Sequence, residues 1–498
     1  MNRSMLTVFL ASTLVGCGGG SSETASGTTV TASAADGSAS EKTREMPPAS
    51  AAPKDVHFPP VVRATLPNGL EVNTVTIDTL PIVYAELVVQ SGRTTDPKAL
   101  PGLAQVTGDM LTEGTRTRTA AQLADEIDFL GARVTSGTSS ENSYVSARSL
   151  KQNFAKVADL MADVALAPAF RDDELKKLKK RETDRLTMMD NEPRYLANRT
   201  IYKALYGEHP YAVVDTTKDA LKKMKRTDLA AWHRSNFVPS NARLFFVGAI
   251  TPEEAKATAE RVFGKWKGAA VTKAPYPATP TRDAREIIVV DRPGSEQSVL
   301  YVGNLALTRS NPEYIPLVVA NQVLGGGAAS RLFMDLREKR SLSYGAYSGV
   351  RENVDVAPFI AMANVRNAVT KEAVAGMFEH LDRIVTESVP DGELTEAKRN
   401  ITDSFPLQIE TASNVLDMVA DLRLFSLPDN YWDTYRSEIS KVTPAEALAA
   451  AKKYIHPNAA VIVVVGKAAD VIEPLRAYGN VTVVDTRGNV TKTVDAAK

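Results

Sequence analysis

A chain of 498 residues with 44% apolar side chains is too long for one ordinary domain and implies about two to four, each with a full core. Lys plus Arg and Asp plus Glu both number 59, so the net charge is zero, which argues against nucleic acid or an anionic membrane surface as the main partner. No apolar run reaches the roughly 18–20 residues that cross a bilayer as a helix.

Arg3 precedes an apolar stretch, Met5 to Gly16, of signal-peptide length. It ends in Leu14-Val15-Gly16-Cys17, which resembles the bacterial lipobox, where the cysteine becomes the lipidated first residue. The expectation is a lipoprotein signal over 1–17, lipidation at Cys17, and a bacterial envelope protein on the periplasmic side, with the outer membrane ahead of the inner. Cys17 is the only cysteine, so the chain has no internal disulfide and no thiolate metal site. Residues 18–58 are small, polar and aperiodic, as in a disordered tether.

From Pro59 the pattern is that of a folded chain. "LEVNTVTID" and "IVYAELVVQSG" read as strands from their β-branched content. "GLAQVTGDMLTEGT", Gly102 to Thr115, reads as a helix with a Gly-rich stop. Thr119-Ala-Ala-Gln122 has the form of a capping box and opens a helix with Leu123, Ile127 and Leu130 on one face, stopped by Gly131. "ARVTSGTSSENSYVSARSL" alternates like an antiparallel hairpin, and Phe154, Val157, Leu160, Met161 and Val164 restore helical spacing.

The plan then repeats. "NFVPSNARLFFVGAITPEEA" and "KYIHPNAAVIVVVGKAADVI" share an aromatic, a Pro/Asn turn, an apolar strand, a glycine and a helix start, with Asn241 and Asn458 lying 217 residues apart. A repeat of that period means two homologous domains. The expected fold is α+β twice over, each domain an antiparallel sheet with helices on one face. The expected boundaries are 59–268 for the first domain, 269–285 for an Ala/Pro/Thr-rich linker, 286–486 for the second domain and 487–498 for a tail.

Six segments in order carry a resemblance: "LPNGLEV", "GLAQVTGDMLTEGT", "LYGEHPY", "FVPSNARLFFVGAITPEE", "GSEQSVLYVGN" and "LGGGAASRLFMDLREKRSLSYGAYS". Together they are similar to the pitrilysin/insulinase metallopeptidases, in particular two-domain members such as mitochondrial processing peptidase subunits. The family's motif is H-x-x-E-H on a helix, with a glutamate far downstream. Two imidazoles at i and i+4 share one helix face and grip zinc, a distant carboxylate closes the site, and the internal glutamate serves as base.

On this chain the resemblance places the three motif positions at Gln105, Gly108 and Asp109, and the distal position at Arg185, 76 residues beyond Asp109. These side chains cannot form that zinc site, and Gly108 leaves no general base. Glu182 and Asp184 lie in a charge run that reads as a solvated helix face. The five histidines, His57, His209, His233, His380 and His456, never pair at i, i+4, and the resemblance implies a structural role for His209 in "YGEHPY". The expectation is that this chain binds no cofactor.

The second half matches the family differently. Arg337 and Tyr344, seven residues apart in "LREKRSLSY", fall where the family supplies an arginine and a tyrosine to the zinc-bearing half. The resemblance implies that Arg337 donates to peptide carbonyls and the Tyr344 hydroxyl to a developing oxyanion. Gly325, Gly326 and Gly327 lack the Lys-Ser/Thr of a phosphate loop and are expected to end a helix and let peptide approach. These features imply a zinc-free subunit of a heteromeric peptidase. Its partner would be a paralogous chain carrying H-x-x-E-H and the zinc, its substrate a peptide bound by strand addition, with membrane contact only through the lipid anchor and no nucleic acid. The alternative is a non-catalytic envelope lipoprotein that binds peptides or scaffolds a complex.

Overall fold

The computed structural model describes residues 56–272 and 274–497. The expected signal, Cys17 and residues 18–55 of the expected tether lie outside the described residues. The tether's expected end at 58 is too late. Phe58 is buried and its ring lies 6.5 Å from that of Trp432, so an apolar side chain draws this stretch into the folded unit.

Six strands of the first half form one sheet: β1 (Val62–Thr65), β2 (Glu71–Thr76), β3 (Ile82–Val89), β4 (Arg133–Thr138), β5 (Ser143–Leu150) and β6 (Ala242–Gly248). Their order is β1-β2-β6-β3-β5-β4. The second half builds β7 (Glu286–Asp291), β8 (Gln297–Leu305), β9 (Ser343–Val350), β10 (Pro358–Arg366), β11 (Val461–Gly466), β12 (Val481–Val484) and β13 (Val490–Val494). Their order is β13-β12-β7-β11-β8-β10-β9. The run β2-β6-β3-β5-β4 has the same topology as β7-β11-β8-β10-β9, which makes the duplication explicit. Both halves are α+β. The sheets are mostly antiparallel, but β2 pairs parallel with β6 and β7 with β11, because the long helical crossover before β6 and β11 returns the chain in the same direction; β12, after the short helix Ala468–Leu475, also pairs parallel with β7.

The expected tail, 487–498, is corrected: β13 pairs with β12 and closes that end of the sheet. Its sequence VTKTV fully buries no side chain; pairing with β12, a Thr491 hydroxyl that donates to the Val483 carbonyl at 3.1 Å and the partly buried Val494 hold it, and the apolar pattern gives little sign of it.

The central strands show why their sequences are apolar throughout. Along β11, Ile462 and Val464 enter the core of their own half, while Val461, Val463 and Val465 face a second cluster. Along β6, Leu244 and Phe246 face inward to their own helices, and Phe245 and Val247 face the other way. Each second face is covered by the opposite half. Helix Pro193–Tyr206 lays Leu196, Ile201 and Leu205 on the β11 side, and helix Ala412–Leu424 lays Val415, Val419 and Leu422 on the β6 side. The two repeats are locked by a reciprocal exchange of helices. A strand buried on both faces reads as a continuous apolar run.

The described residues of 269–285 run without helix or strand to β7. They do not hang free: the Tyr276 ring lies 4.8 Å from that of His209, and its hydroxyl donates to Glu141 at 3.3 Å.

Candidate functional site

Gln105, Gly108 and Asp109 all lie on helix Leu103–Met110, as the spacing requires. The helix starts where it does for two reasons. Gly102 has φ +86, and a Cβ there would meet the Cβ of Thr216 at 2.3 Å, so only glycine fits. The Asp96 carboxylate accepts from the Gly102 and Ala104 N–H groups at 2.6 and 2.7 Å, satisfying donors that a helix start leaves unpaired.

The helix packs tightly against edge strand β4. Ser136 donates to the Gly108 carbonyl at 2.7 Å and Thr138 to the Ala104 carbonyl at 3.1 Å. A Cβ at Gly108 would lie 2.4 Å from Thr138 Oγ1. Where the family's motif places a carboxylate base, this chain has a hydroxyl and a close helix-to-strand contact.

Arg185 projects from helix Asp172–Met189 and makes an ionic network at the distal position. Its two terminal nitrogens hold Asp215 at 2.9 and 2.8 Å, and its Nε donates to Glu182 at 2.8 Å. The Asp215 bond, ahead of the Glu182 bond, raises the guanidinium further above its ordinary range. Asp109 belongs to the same group. Burial first, and then the Glu182 carboxylate, push its carboxyl up to about 6, opposed by Arg185 and Arg181. A fixed guanidinium thus stands among carboxylates at this corner. Gln105, Gly108, Asp109 and Arg185 do not fit zinc, since one site position is itself a cation and another is filled by Thr138. Among the described residues no group of three or more His, Cys, Asp or Glu side chains is placed to hold a metal ion.

Glu182 corrects the reading of a solvated face. Its side chain is 13% exposed, whereas Asp184 is 64% exposed. Residues 182 and 185 share one helix face at i, i+3, and 184 lies on another with Lys180. The i, i+3 spacing was a usable signal for Glu182; Asp215, 30 residues from Arg185, had none.

The histidines stay apart. His209 is buried, accepts from the Tyr211 N–H through Nδ1 at 3.1 Å, and its Nε2 faces Asp355 at 3.2 Å, which ties a first-half turn to a second-half loop. His233 faces the Ala165 carbonyl, His380 faces Asp335 and His456 the Lys453 carbonyl, while His57 is exposed.

The second-half corner is built differently. Helix Tyr314–Gly325 packs on β9, where Ser348 donates to Asn321 at 2.7 Å, and a Cβ at Gly325 would lie 2.3 Å from Ser348 Oγ. That contact accounts for Gly325 without any ligand; Gly326 and Gly327 follow at the surface. Arg337 lies in a π-helical stretch, Met334–Lys339, its guanidinium 4.7 Å from the Phe333 ring and 3.4 Å from Glu338. The chain then turns through Ser341 at φ +52, a strained conformation for serine. It enters β9, the far edge of the sheet, beside Tyr344, which is 84% exposed.

The model of the insulinase family of peptidases, M16, matches residues 72–214, and the model described as the peptidase M16 inactive domain matches residues 223–401. The chain belongs to this peptidase family. It is similar to a peptidase M16 inactive domain from Pseudomonas fluorescens, with 27% identity, a TM-score of 0.77, and coverage of 82% of this chain and 98% of that one. It is also 23% identical over 410 residues to an uncharacterized zinc protease of Streptomyces coelicolor, covering 81% of this chain and 89% of the relative. The non-peptidase homolog YmxG of Helicobacter pylori is 23% identical over 371 residues, covering 74% and 85%.

Proposed function

We propose that this chain is a member of the peptidase family without metal chemistry of its own, acting as the zinc-free subunit beside a paralogous H-x-x-E-H chain that cleaves peptides. The observation that carries the reading is Tyr344, a phenol 84% exposed on an edge strand that pairs on one side only among the described residues, where a tyrosine kept for packing would be buried. Its approach through a π-helical stretch and a left-handed serine adds support, since such irregular backbone gathers at functional sites. In this reading Arg337 holds peptide carbonyls, Tyr344 donates to the oxyanion formed at the scissile bond, and Gly326 and Gly327 border the bound strand. A scaffold that only binds peptides is the second reading, favoured by similarity to a relative named a non-peptidase homolog.

The test is steady-state cleavage by the co-purified pair. Tyr344→Phe lowers turnover by about 10²–10³ with little change in KM, the usual effect of losing one oxyanion donor. Arg337→Ala raises KM as well. Unchanged kinetics in both variants would leave only the scaffold. We further propose that Cys17 carries the lipid that holds the chain at the bacterial envelope; Cys17→Ser should move it from the membrane to the soluble fraction.

A further inference from the structure

A cleft of about 730 Å³ opens in the first half, between the end of helix Phe154–Leu166, the start of the 172–189 helix, helix Arg226–Asn236 and the segment after helix Pro252–Phe263. That volume suits a small ligand. The cleft is distinct from the corner just described: Asp172 and Arg185 are 13 residues apart on one helix, about 20 Å at 1.5 Å per residue.

Its charge is lopsided in a chain whose net charge is zero. Arg116, Arg171, Arg226, Arg234 and Lys267 line it, against the carboxylates of Asp172 and Asp173. None of the five cations enters an ion pair among the described residues, although the nearby Arg118 and Arg181 are paired with Asp163 and Glu113. Arg171 is the most telling. One terminal nitrogen reaches the Thr115 carbonyl at 3.3 Å, but its buried Nε has no partner among the described residues. A buried donor without an acceptor is rare and calls for a reason.

The floor is aromatic. Phe170, next to Arg171, holds φ +47, a strained conformation for a bulky residue, and sets its ring edge-on to His233 at 5.7 Å. His233 stacks on Phe237 at 4.4 Å. Burial pushes the His233 imidazole down to about 4, so it adds a flat wall and no charge at neutral pH. Leu166 and Trp266 complete the apolar side.

We propose that this cleft is a binding site for a phosphate-bearing molecule with an apolar body, the phosphate held by Arg171, Arg234 and Lys267 and the body lying on Leu166, Phe170 and Trp266. Several guanidinium groups around one space suit a dianion that accepts bidentate bonds. A soluble phosphate ester and an anionic lipid head group share this chemistry.

Trp266 supplies the readout, as one of three tryptophans in the chain. Titration of the full chain with phenyl phosphate should change tryptophan fluorescence saturably, while phenol should not. Arg171→Gln and Arg234→Gln should each weaken binding at least tenfold, and Arg487→Gln, in the β12–β13 turn, should leave it unchanged. Arg234 is exposed, so its variant keeps the test intact if Arg171→Gln fails to fold. Co-sedimentation of the Cys17→Ser chain with phosphatidic acid vesicles, against phosphatidylcholine vesicles, separates the sources. Binding to phenyl phosphate alone assigns a soluble ligand, and binding to phosphatidic acid vesicles that Arg234→Gln abolishes assigns a lipid. Absence of both, or binding that both arginine variants retain, overturns the proposal.

Discussion

The corner after β3 and the corner after β8 occupy equivalent places in two sheets of the same topology, and they differ in what fills them. In the first, a helix lies so close to edge strand β4 that Thr138 Oγ1 would sit 2.4 Å from a Cβ at Gly108, and Arg185 is tied to Asp215 and Glu182. In the second, the edge strand β9 leaves Tyr344 in solvent beside a π-helical stretch. At the first corner the space is taken by packing and the carboxylates are paired with a guanidinium. Among the described residues no side chain covers Tyr344 in the same way.

The largest expected effect tests whether the two corners sit in one rigid body. Leu196 and Leu422 are 0% and 1% exposed at the heart of the two exchanged helices. Leu196→Ala and Leu422→Ala should each lower stability by about 2–5 kcal/mol, through lost burial and the cavity left behind. Both should shift a single unfolding transition. Two separate transitions in calorimetry would mean that the halves melt independently.

Gly108→Ala should cost less, about 1–3 kcal/mol, since the new methyl must displace Thr138 from its bonds to Ala104 and Ser143. A denaturant melt measures it; no loss would show that the first corner still has room for a side chain.

Asp109 sharpens the contrast through pH. Its carboxyl stands at about 6, above the ordinary carboxylate value. A raised value means that its contribution is full at low pH and is lost as pH rises through about 6. Asp109→Asn cannot ionise, so its melting temperature relative to wild type should climb between pH 4 and 7 and then level off. A difference that stays flat across that window would mean that Asp109 is not buried beside Glu182.

The smallest stability effect belongs to Tyr344→Phe. An exposed hydroxyl with no partner among the described residues should change stability by less than about 0.5 kcal/mol. A loss well above that would place the phenol in a structural contact and weaken its assignment to substrate.

Much of this was legible. The Thr119–Gln122 capping box forms as the residues predict, and the β4–β5 hairpin pairs in register from Arg133 with Arg148 to Thr138 with Ser143. The structural role of His209 was implied only by the family resemblance. Phe58 and β13 were not legible, because one buried ring and a strand with no fully buried side chain leave no periodic signal.

The sequence by itself determined that the family's zinc motif is not present: ligand identity is a property of single side chains, and positions 105, 108, 109 and 185 hold glutamine, glycine, aspartate and arginine. It also determined the duplication, since a repeated order of apolar strands and glycines survives in one dimension. Only the tertiary structure decided that Arg185 closes on Asp215, that each half covers the other's sheet, and that five cations with no ion pair among the described residues line one cleft. Those contacts join segments far apart in sequence, and they are chosen by how the faces pack rather than by local pattern.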